Sequence, residues 1–224
     1  MAEKEAETAF RVNAGIPGIL GEIALTMKIH LFHISTDYIY DGRLSLPHLE
    51  EEEPAPVSVY ARSKSDGDLM LKDNPFVIIV RTSWLYSEFG NNFLTGMLRI
   101  GSSRKEVGVV FDQTGTPTYG EDLAYALMEI ISRSDQNGFV PGIFNYSNEG
   151  VCSWFDFATE IMKQGRKDCI VKPIRTCDYP LPAIRPAYSV MDKRKIREAF
   201  SIRIPYWKDS LLKALENLEK NKEI

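Results

Sequence analysis

The chain has 224 residues, enough for one substantial domain or a domain with a smaller lobe, and its 44% hydrophobic and 26% charged residues are ordinary for a globular protein. Its 27 Lys and Arg against 31 Asp and Glu leave a net charge of −4, which gives no bulk reason to bind nucleic acid or an anionic membrane. No stretch approaches the roughly 18–20 apolar residues of a bilayer span, and the run from Met1 to Glu7 is too charged for a signal peptide. Cys152, Cys169 and Cys177 are odd in number, form no CxxC pair and have no His spaced to complete a zinc site. They read as reduced thiols of a cytoplasmic protein.

Apolar residues at three- and four-residue steps (Ala6, Ala9, Phe10, then Ile16, Ile19, Leu20, Ile23 and Met27) predict a long helical region. Pro17 kinks it or starts its second half. The run Ile29-His-Leu-Phe-His-Ile-Ser-Thr36 predicts a buried strand. Residues 41–56 hold glycine and proline stops and an unbroken glutamate run at 50–53, which reads as a solvated loop with a solvated acidic face. A helix is predicted over 59–71 and a second buried strand over 76–82. Two nearly all-aliphatic strands joined by a helix signal a parallel sheet covered on both faces. Further helices are predicted over 91–104, 121–133, 153–164 and 206–220, with short strands over 107–111 and 143–146. Proline-rich loops mark 179–182 and 185–186. The fold class is α/β, with a smaller lobe built from the C-terminal third.

The sharpest chemical feature is Tyr60-Ala-Arg-Ser-Lys64. On a helix, residues four apart share a face, so phenol and ammonium project side by side. A nearby cation favours the phenolate, which makes Tyr60 a candidate general acid/base whose pKa Lys64 lowers. Taken alone the pair reads as a solvent-facing one, since Tyr and Lys are common. The first strand, however, ends in Ser35-Thr36-Asp37-Tyr38, and open parallel sheets bind ligands at the carboxyl ends of their strands. A hydroxyl there is placed to share a substrate carbonyl oxygen with the tyrosine.

A strand-end Ser/Thr, a loop and then YxxxK on the next helix resembles the short-chain dehydrogenase/reductase superfamily. Within its extended branch, further blocks resemble the dTDP-4-dehydrorhamnose reductase family. They are His33-Ile-Ser-Thr-Asp-Tyr-Ile-Tyr-Asp-Gly42, Arg81-Thr-Ser-Trp-Leu-Tyr86, Gly90-Asn-Asn-Phe93, Asp112-Gln-Thr-Gly-Thr-Pro-Thr118 and Arg185-Pro-Ala-Tyr-Ser189. The resemblance implies a partial Rossmann-like parallel sheet with flanking helices over 1–140. A smaller, mainly substrate-binding lobe lies over 141–224, with segments interleaved between the two. It implies reduction of the C4 ketone of dTDP-4-dehydro-L-rhamnose to dTDP-L-rhamnose with NADPH or NADH. Tyr60 is then the proton donor, Lys64 binds the nicotinamide ribose and depresses the Tyr60 pKa, and Thr36 tunes the phenol and holds the sugar oxygen. Asp37 and Trp84 contact the nucleotide-sugar, although Trp84 is equally readable as core. Asn92 and Arg185 are equally explained by helix capping and a surface ion pair, and Asp112-Gln113 reads as a structural loop. Some relatives bind Mg²⁺ at a dimer contact, so Mg²⁺ and a homodimer are part of what the resemblance implies, but no carboxylate cluster compels the metal.

Such a reductase needs a glycine-rich turn between strand and helix, where backbone N–H groups receive the cofactor pyrophosphate. The nearest match, Gly15-Ile-Pro-Gly-Ile-Leu-Gly21, follows a charged helical stretch rather than a buried strand, and it lies too close to Tyr60 for the intervening βαβ units. It reads as a coincidence inside a helix. By comparison with the family, on the order of 60–70 residues carrying that turn are expected to be absent, at roughly 30 residues per βαβ unit. Cofactor binding is expected to be impaired accordingly. The alternatives are a nucleotide-sugar epimerase or dehydratase with the same Tyr/Lys pair, and a non-catalytic regulatory subunit similar to the β subunit of methionine adenosyltransferase. Arg81-Thr-Ser-Trp84 and the 112–118 block favour the reductase.

Overall fold

The computed structural model describes residues 2–180 and 183–221, so Leu181 and Pro182 of the loop predicted at 179–182 lie outside the described residues. The N-terminal helical region is one continuous run: α1 (Ala6–Phe10), a π-helical turn (Arg11–Gly15) and α2 (Ile16–Met27). Pro17 occupies the first turn of α2, where a missing N–H is tolerated, and the widened π turn lies just ahead of it. The Gly15–Gly21 pattern thus falls inside helix. Next come β1 (Leu31–Thr36), α3 (Val59–Leu71), β2 (Val77–Thr82) and β3 (Leu85–Tyr86). They are followed by α4 (Phe93–Ser103), β4 (Glu106–Val110), β5 (Thr114–Gly115), β6 (Thr118–Tyr119) and α5 (Gly120–Asn137). The chain continues with β7 (Gly142–Tyr146), β8 (Cys152–Ser153), α6 (Trp154–Gln164), β9 (Ile170–Ile174), α7 (Arg194–Phe200) and α8 (Trp207–Lys220).

Two compact units form. The first takes Met1–Ser83, Leu127–Tyr146 and Leu181–Ile202; the second takes Trp84–Ala126, Ser147–Pro180 and Arg203–Ile224. In the first unit β1, β2 and β7 form a parallel sheet in that order, with Thr36 beside Thr82 and Thr82 beside Tyr146. Every residue of β2 is buried, as an aliphatic central strand should be. β1 departs from the expectation of a buried strand: its first four residues are only half-buried, because among the described residues it pairs on one side alone. Helices α2 and α3 meet at glycines. A Cβ at Gly21 would come within 2.6 Å of the Leu71 side chain, and one at Gly67 would strike the Asn13 carbonyl oxygen.

The acidic run at 50–53 is solvated as expected at its last three positions, but not at its first. Glu50 is 6% exposed, and its carboxylate accepts the Asn145 N–H of β7 at 2.8 Å. Glu52 accepts the Leu49 N–H at 2.9 Å and pairs with His48 at 2.7 Å. Glu51, Glu52 and Glu53 remain exposed, Glu51 pairing with Lys195 at 2.8 Å. A buried edge-on N–H in β7 requires an acceptor, and the first glutamate of the run supplies it.

The second unit packs around aromatic rings. Phe157, fully buried, lies 5.1 Å from Tyr86, 5.5 Å from Phe93 and 5.8 Å from Trp207 between ring centroids. Helix α4 starts on a capping box between Asn92 and Thr95, and α6 on one between Ser153 and Asp156. Three short strand pairs complete the unit: β3 with β6 and β4 with β9 parallel, β5 with β8 antiparallel. Neither β9, interrupted by Lys172 and Pro173, nor the seven-residue α7 was signalled by periodicity. The cysteines are free thiols, Cys152 and Cys169 buried and Cys177 exposed. Among the described residues no helix is long and apolar enough to cross a membrane.

Asn148, fully buried in the second unit, accepts the Tyr119 N–H at 2.7 Å and donates to Asp122 at 2.7 Å and to Ser210 at 2.9 Å. Replacing it with alanine leaves a buried amide and a buried carboxylate short of partners. Asn148→Ala is expected to lower unfolding free energy by about 2–4 kcal/mol in urea titration; an unchanged midpoint would show that the side chain is dispensable.

Candidate active site

The first unit gathers most of the predicted site residues. Ser58 caps α3, its hydroxyl accepting the Ala61 N–H at 3.1 Å, and so starts the helix two residues before Tyr60. Tyr60, Lys64 and Asp68 then fall on successive turns of one face. At the carboxyl end of β1, Thr36 caps a 3-10 turn (Asp37–Ile39) by accepting the Tyr38 N–H at 3.3 Å. The Thr36 hydroxyl faces the Tyr60 phenol closely enough to bear on its pKa, and stands 3.2 Å from the Asp37 carboxylate. The Tyr38 ring meets the Tyr60 ring edge-on, with centroids 6.3 Å apart. The Lys64 ammonium donates to the Ile34 carbonyl of β1 at 2.7 Å. Tyr60 itself remains 38% exposed, so its phenol is reachable from outside.

The electrostatics correct one expectation. Tyr60 sits above its ordinary range rather than below it: burial raises it, the facing Thr36 hydroxyl pulls it down, and the Asp37 charge raises it again. Lys64 does not enter that balance, its ammonium being turned to the Ile34 carbonyl. Lys64 is itself lowered by burial, opposed by the charge of Asp68. Burial lifts the Asp37 carboxyl to about 7 against hydrogen bonds from Ser189 and Thr36, and pushes Tyr38 up to about 12. His33 falls to about 4, through burial and then the neighbouring Lys64 charge.

Trp84 belongs to the second unit, where its indole stacks on Trp154 with centroids 3.7 Å apart and planes 9° from parallel. Its φ of 46° is a left-handed conformation that a bulky side chain rarely adopts, and it marks a position held by its surroundings. Asn92 is a helix cap, as one of its two readings had it. Asp112 and Gln113 hold Thr176, the carboxylate accepting the Thr176 N–H at 2.9 Å and the Gln113 amide donating to its hydroxyl at 3.0 Å, which is structural work. Arg185 is exposed. The same unit carries an open cavity of about 530 Å³ walled by Phe111, Phe155 and Pro173, with Thr114, Ser153 and Asp156 as its polar lining. Residues that sequence reasoning passed over are Ser189 beside Asp37, and the Asp68–Arg81 pair beyond Lys64. Asp68 was findable, since it is the next residue of the Tyr60–Lys64 helical face; the Ser189 contact joins segments far apart in the chain and has no local signal. Among the described residues no group of three or more His, Cys, Asp or Glu is arranged to hold a metal.

A parallel sheet whose strand-end threonine meets a helix-borne tyrosine, with a lysine one turn on, defines an extended short-chain dehydrogenase/reductase. Residues 1–220 match the RmlD substrate binding domain family, and the chain belongs to that family. It is 39% identical over 217 residues to a dTDP-4-dehydrorhamnose reductase of Sinorhizobium fredii, covering 93% of this chain and 73% of that protein. A crystal structure of a dTDP-4-dehydrorhamnose reductase from Clostridium acetobutylicum is 36% identical and superimposes with a TM-score of 0.91, covering 97% of this chain and 76% of the other. The Bacillus anthracis enzyme, solved in complex with NADP, is 34% identical with a TM-score of 0.91, covering 96% and 75%.

The opposed shifts of Asp37 and His33 predict opposed pH dependences of stability. Asp37 keeps its proton in the folded state up to about 7 but loses it near 3.8 when unfolded, so its contribution falls as pH rises from about 4 to 7. His33 is protonated below 6.5 when unfolded but only below about 4 when folded, so its contribution rises with pH across that interval. Relative to the parent, Asp37→Asn is therefore expected to gain stability between pH 4 and pH 7, and His33→Gln to lose it. Each change amounts to a few kcal/mol, since every tenfold change in a proton-binding constant on folding is worth about 1.4 kcal/mol. Urea titrations across that pH interval check this, and equal slopes in parent and variants would count against both shifts.

Proposed function

We propose that the chain carries the catalytic pair and sugar-binding residues of a dTDP-4-dehydrorhamnose reductase, which converts dTDP-4-dehydro-L-rhamnose to dTDP-L-rhamnose with NADPH or NADH. The observation that carries this is the meeting of the Thr36 hydroxyl and the Tyr60 phenol at the carboxyl end of β1, with Lys64 one helical turn beyond. Tyr60, reachable and above its ordinary range, holds a proton at neutral pH and gives it to the C4 oxygen of the sugar. Thr36 orients the phenol and shares that oxygen. Asp37, near neutrality and buried beside Ser189, hydrogen-bonds the sugar, and Trp84 offers an indole held rigid by Trp154 to its apolar face. Residues 1–140 supply mainly the dinucleotide side and 141–224 mainly the sugar side. The protein works in the cytoplasm, consistent with its free thiols. Mg²⁺ and a homodimer remain part of the proposal by family resemblance.

A dinucleotide fits these residues in part. Lys64 is the ribose ligand in this reading, and the nicotinamide supplies the hydride when bound. Among the described residues, however, no glycine-rich turn joins a strand to a helix, the only such run lying within the N-terminal helical run. The described residues therefore offer the pyrophosphate no nest of backbone donors. Calorimetric titration of this chain with NADPH and with NADH is expected to show binding weaker than about 100 μM; that figure corresponds to some 5 kcal/mol of binding free energy. Micromolar affinity for either would reveal a phosphate site elsewhere.

Turnover tests the reading itself. Ketone-dependent oxidation of NADPH is measured with the chain alone and with the N-terminal segment of the Sinorhizobium fredii relative fused ahead of it. The fusion is expected to form dTDP-L-rhamnose, and Tyr60→Phe in it to lose about 10²–10⁴-fold in kcat with little change in sugar binding. Equal turnover in the variant and its parent would remove Tyr60 from the chemistry.

A further inference from the structure

The face of α3 that presents Tyr60 and Lys64 runs on to Asp68, and none of the roles above uses that residue. It is 2% exposed. Its Oδ2 pairs with Arg81 Nε of β2 at 3.1 Å, and its Oδ1 lies 3.9 Å from His33 Nε2 of β1. Arg81 is pinned independently, donating from Nη1 to the Tyr40 hydroxyl at 2.9 Å and to the Glu50 carbonyl at 3.1 Å. The carboxylate is thus placed by a fully buried strand rather than by the lysine it faces. Lys64 is half-buried and has one neutral acceptor, the Ile34 carbonyl at 2.7 Å. Burial disfavours a charge there, and Asp68 is the charged neighbour that opposes it. The other groups facing this region do not supply that counter-charge. His33 from β1 is held neutral, Arg81 from β2 is itself a cation, and Asp37 and Tyr38 beyond β1 bear on Tyr60.

We propose that Asp68, anchored by Arg81, is a positioning residue that keeps the Lys64 side chain charged and directed along β1, one turn from Tyr60. Its purpose rests on the reductase reading; its geometry does not. A lysine that lost its proton would no longer offer a cation to a ribose hydroxyl or to a developing phenolate, so Asp68 sets the upper pH at which the pair can work.

The test reads Lys64 directly in the full chain, with lysines carbon-13-labelled at Cε and the Lys64 resonance assigned by its loss in Lys64→Met. In Asp68→Asn the Lys64 titration is expected to move to lower pH, and Asp68→Glu, which restores the carboxylate, to move it back toward the parent. Leaving Arg81 buried and alone can unfold the chain, so the double variant Asp68→Asn/Arg81→Gln is measured beside it, with circular dichroism to establish folding. It removes both charges, and its Lys64 is expected to shift down as well, because Asp68 is the one charge that opposes burial at that ammonium and Arg81 does not bear on it. An unmoved Lys64 titration in either folded variant overturns the proposal. The readout needs neither sugar nor dinucleotide. A shifted Lys64 in a protein that never reduces the ketone would therefore sink the reductase reading and leave the positioning role standing.

Discussion

The ion pair between Arg81 and Asp68 is the constraint on which the first unit turns. A guanidinium on a strand with no exposed residue must have every donor direction answered, or its burial is very costly. Arg81 answers three of its five N–H donors by gathering partners from three places: the carboxylate of α3, the phenol of Tyr40 just after the 3-10 turn, and the carbonyl of Glu50 in the acidic loop. Its charge also lies 5.4 Å from the centre of the Tyr40 ring, whose other ring contact is the parallel imidazole of His48 at 4.4 Å. A pair like this adds little net stability over an apolar substitute, but it penalises any arrangement that leaves one member alone. It therefore specifies where α3 and the loop lie more than it strengthens them.

The acidic loop follows from the same logic. Tyr40 and Glu50 bring it to β2, Glu50 satisfies β7 at Asn145, and the Asn145 amide in turn donates to the His48 carbonyl at 3.0 Å. His48 then bridges to Met191 and accepts at its carbonyl the Asp192 N–H, which ties down the segment that brings Ser189 to Asp37. The environment of the candidate site is consequently dry and mostly uncharged on one side: Asp37 tends to hold its proton, His33 tends to shed its own, and the lysine keeps a lone counter-charge.

Much of this was legible in the chain, for identifiable reasons. The helix predicted over 59–71 has the bounds observed, and the serine that caps it is a local signal. Strands β1, β2, β4 and β7 were found from their apolar runs, although half-burial of β1 was invisible, since a run of apolar residues says nothing about how many neighbours pair with it. Glu50 was misread for a related reason: an acidic run looks solvated until a β7 amide, far along the chain, needs one of its carboxylates. The Tyr60–Lys64 juxtaposition was legible from spacing, while the direction of the Tyr60 shift was not. That direction depends on depth of burial and on where the ammonium points, and both are tertiary facts.

The threading of the first unit has a consequence for how the protein is made. β2 is complete at Thr82, but β7, the neighbour on its second edge, begins at Gly142. At synthesis rates of roughly 5–20 residues per second, the ribosome delivers that partner about 3–12 s later. Throughout that interval an aliphatic strand stands with an open edge on the nascent chain, the kind of segment that holdase chaperones bind and that pairs with the wrong strand when translation is crowded. Slow decoding between the two strands would lengthen the exposure, and a circular permutant that places β7 ahead of β1 would shorten it. Yield of the protein in a cell is thus governed as much by the order in which its strands emerge as by the stability of the finished sheet.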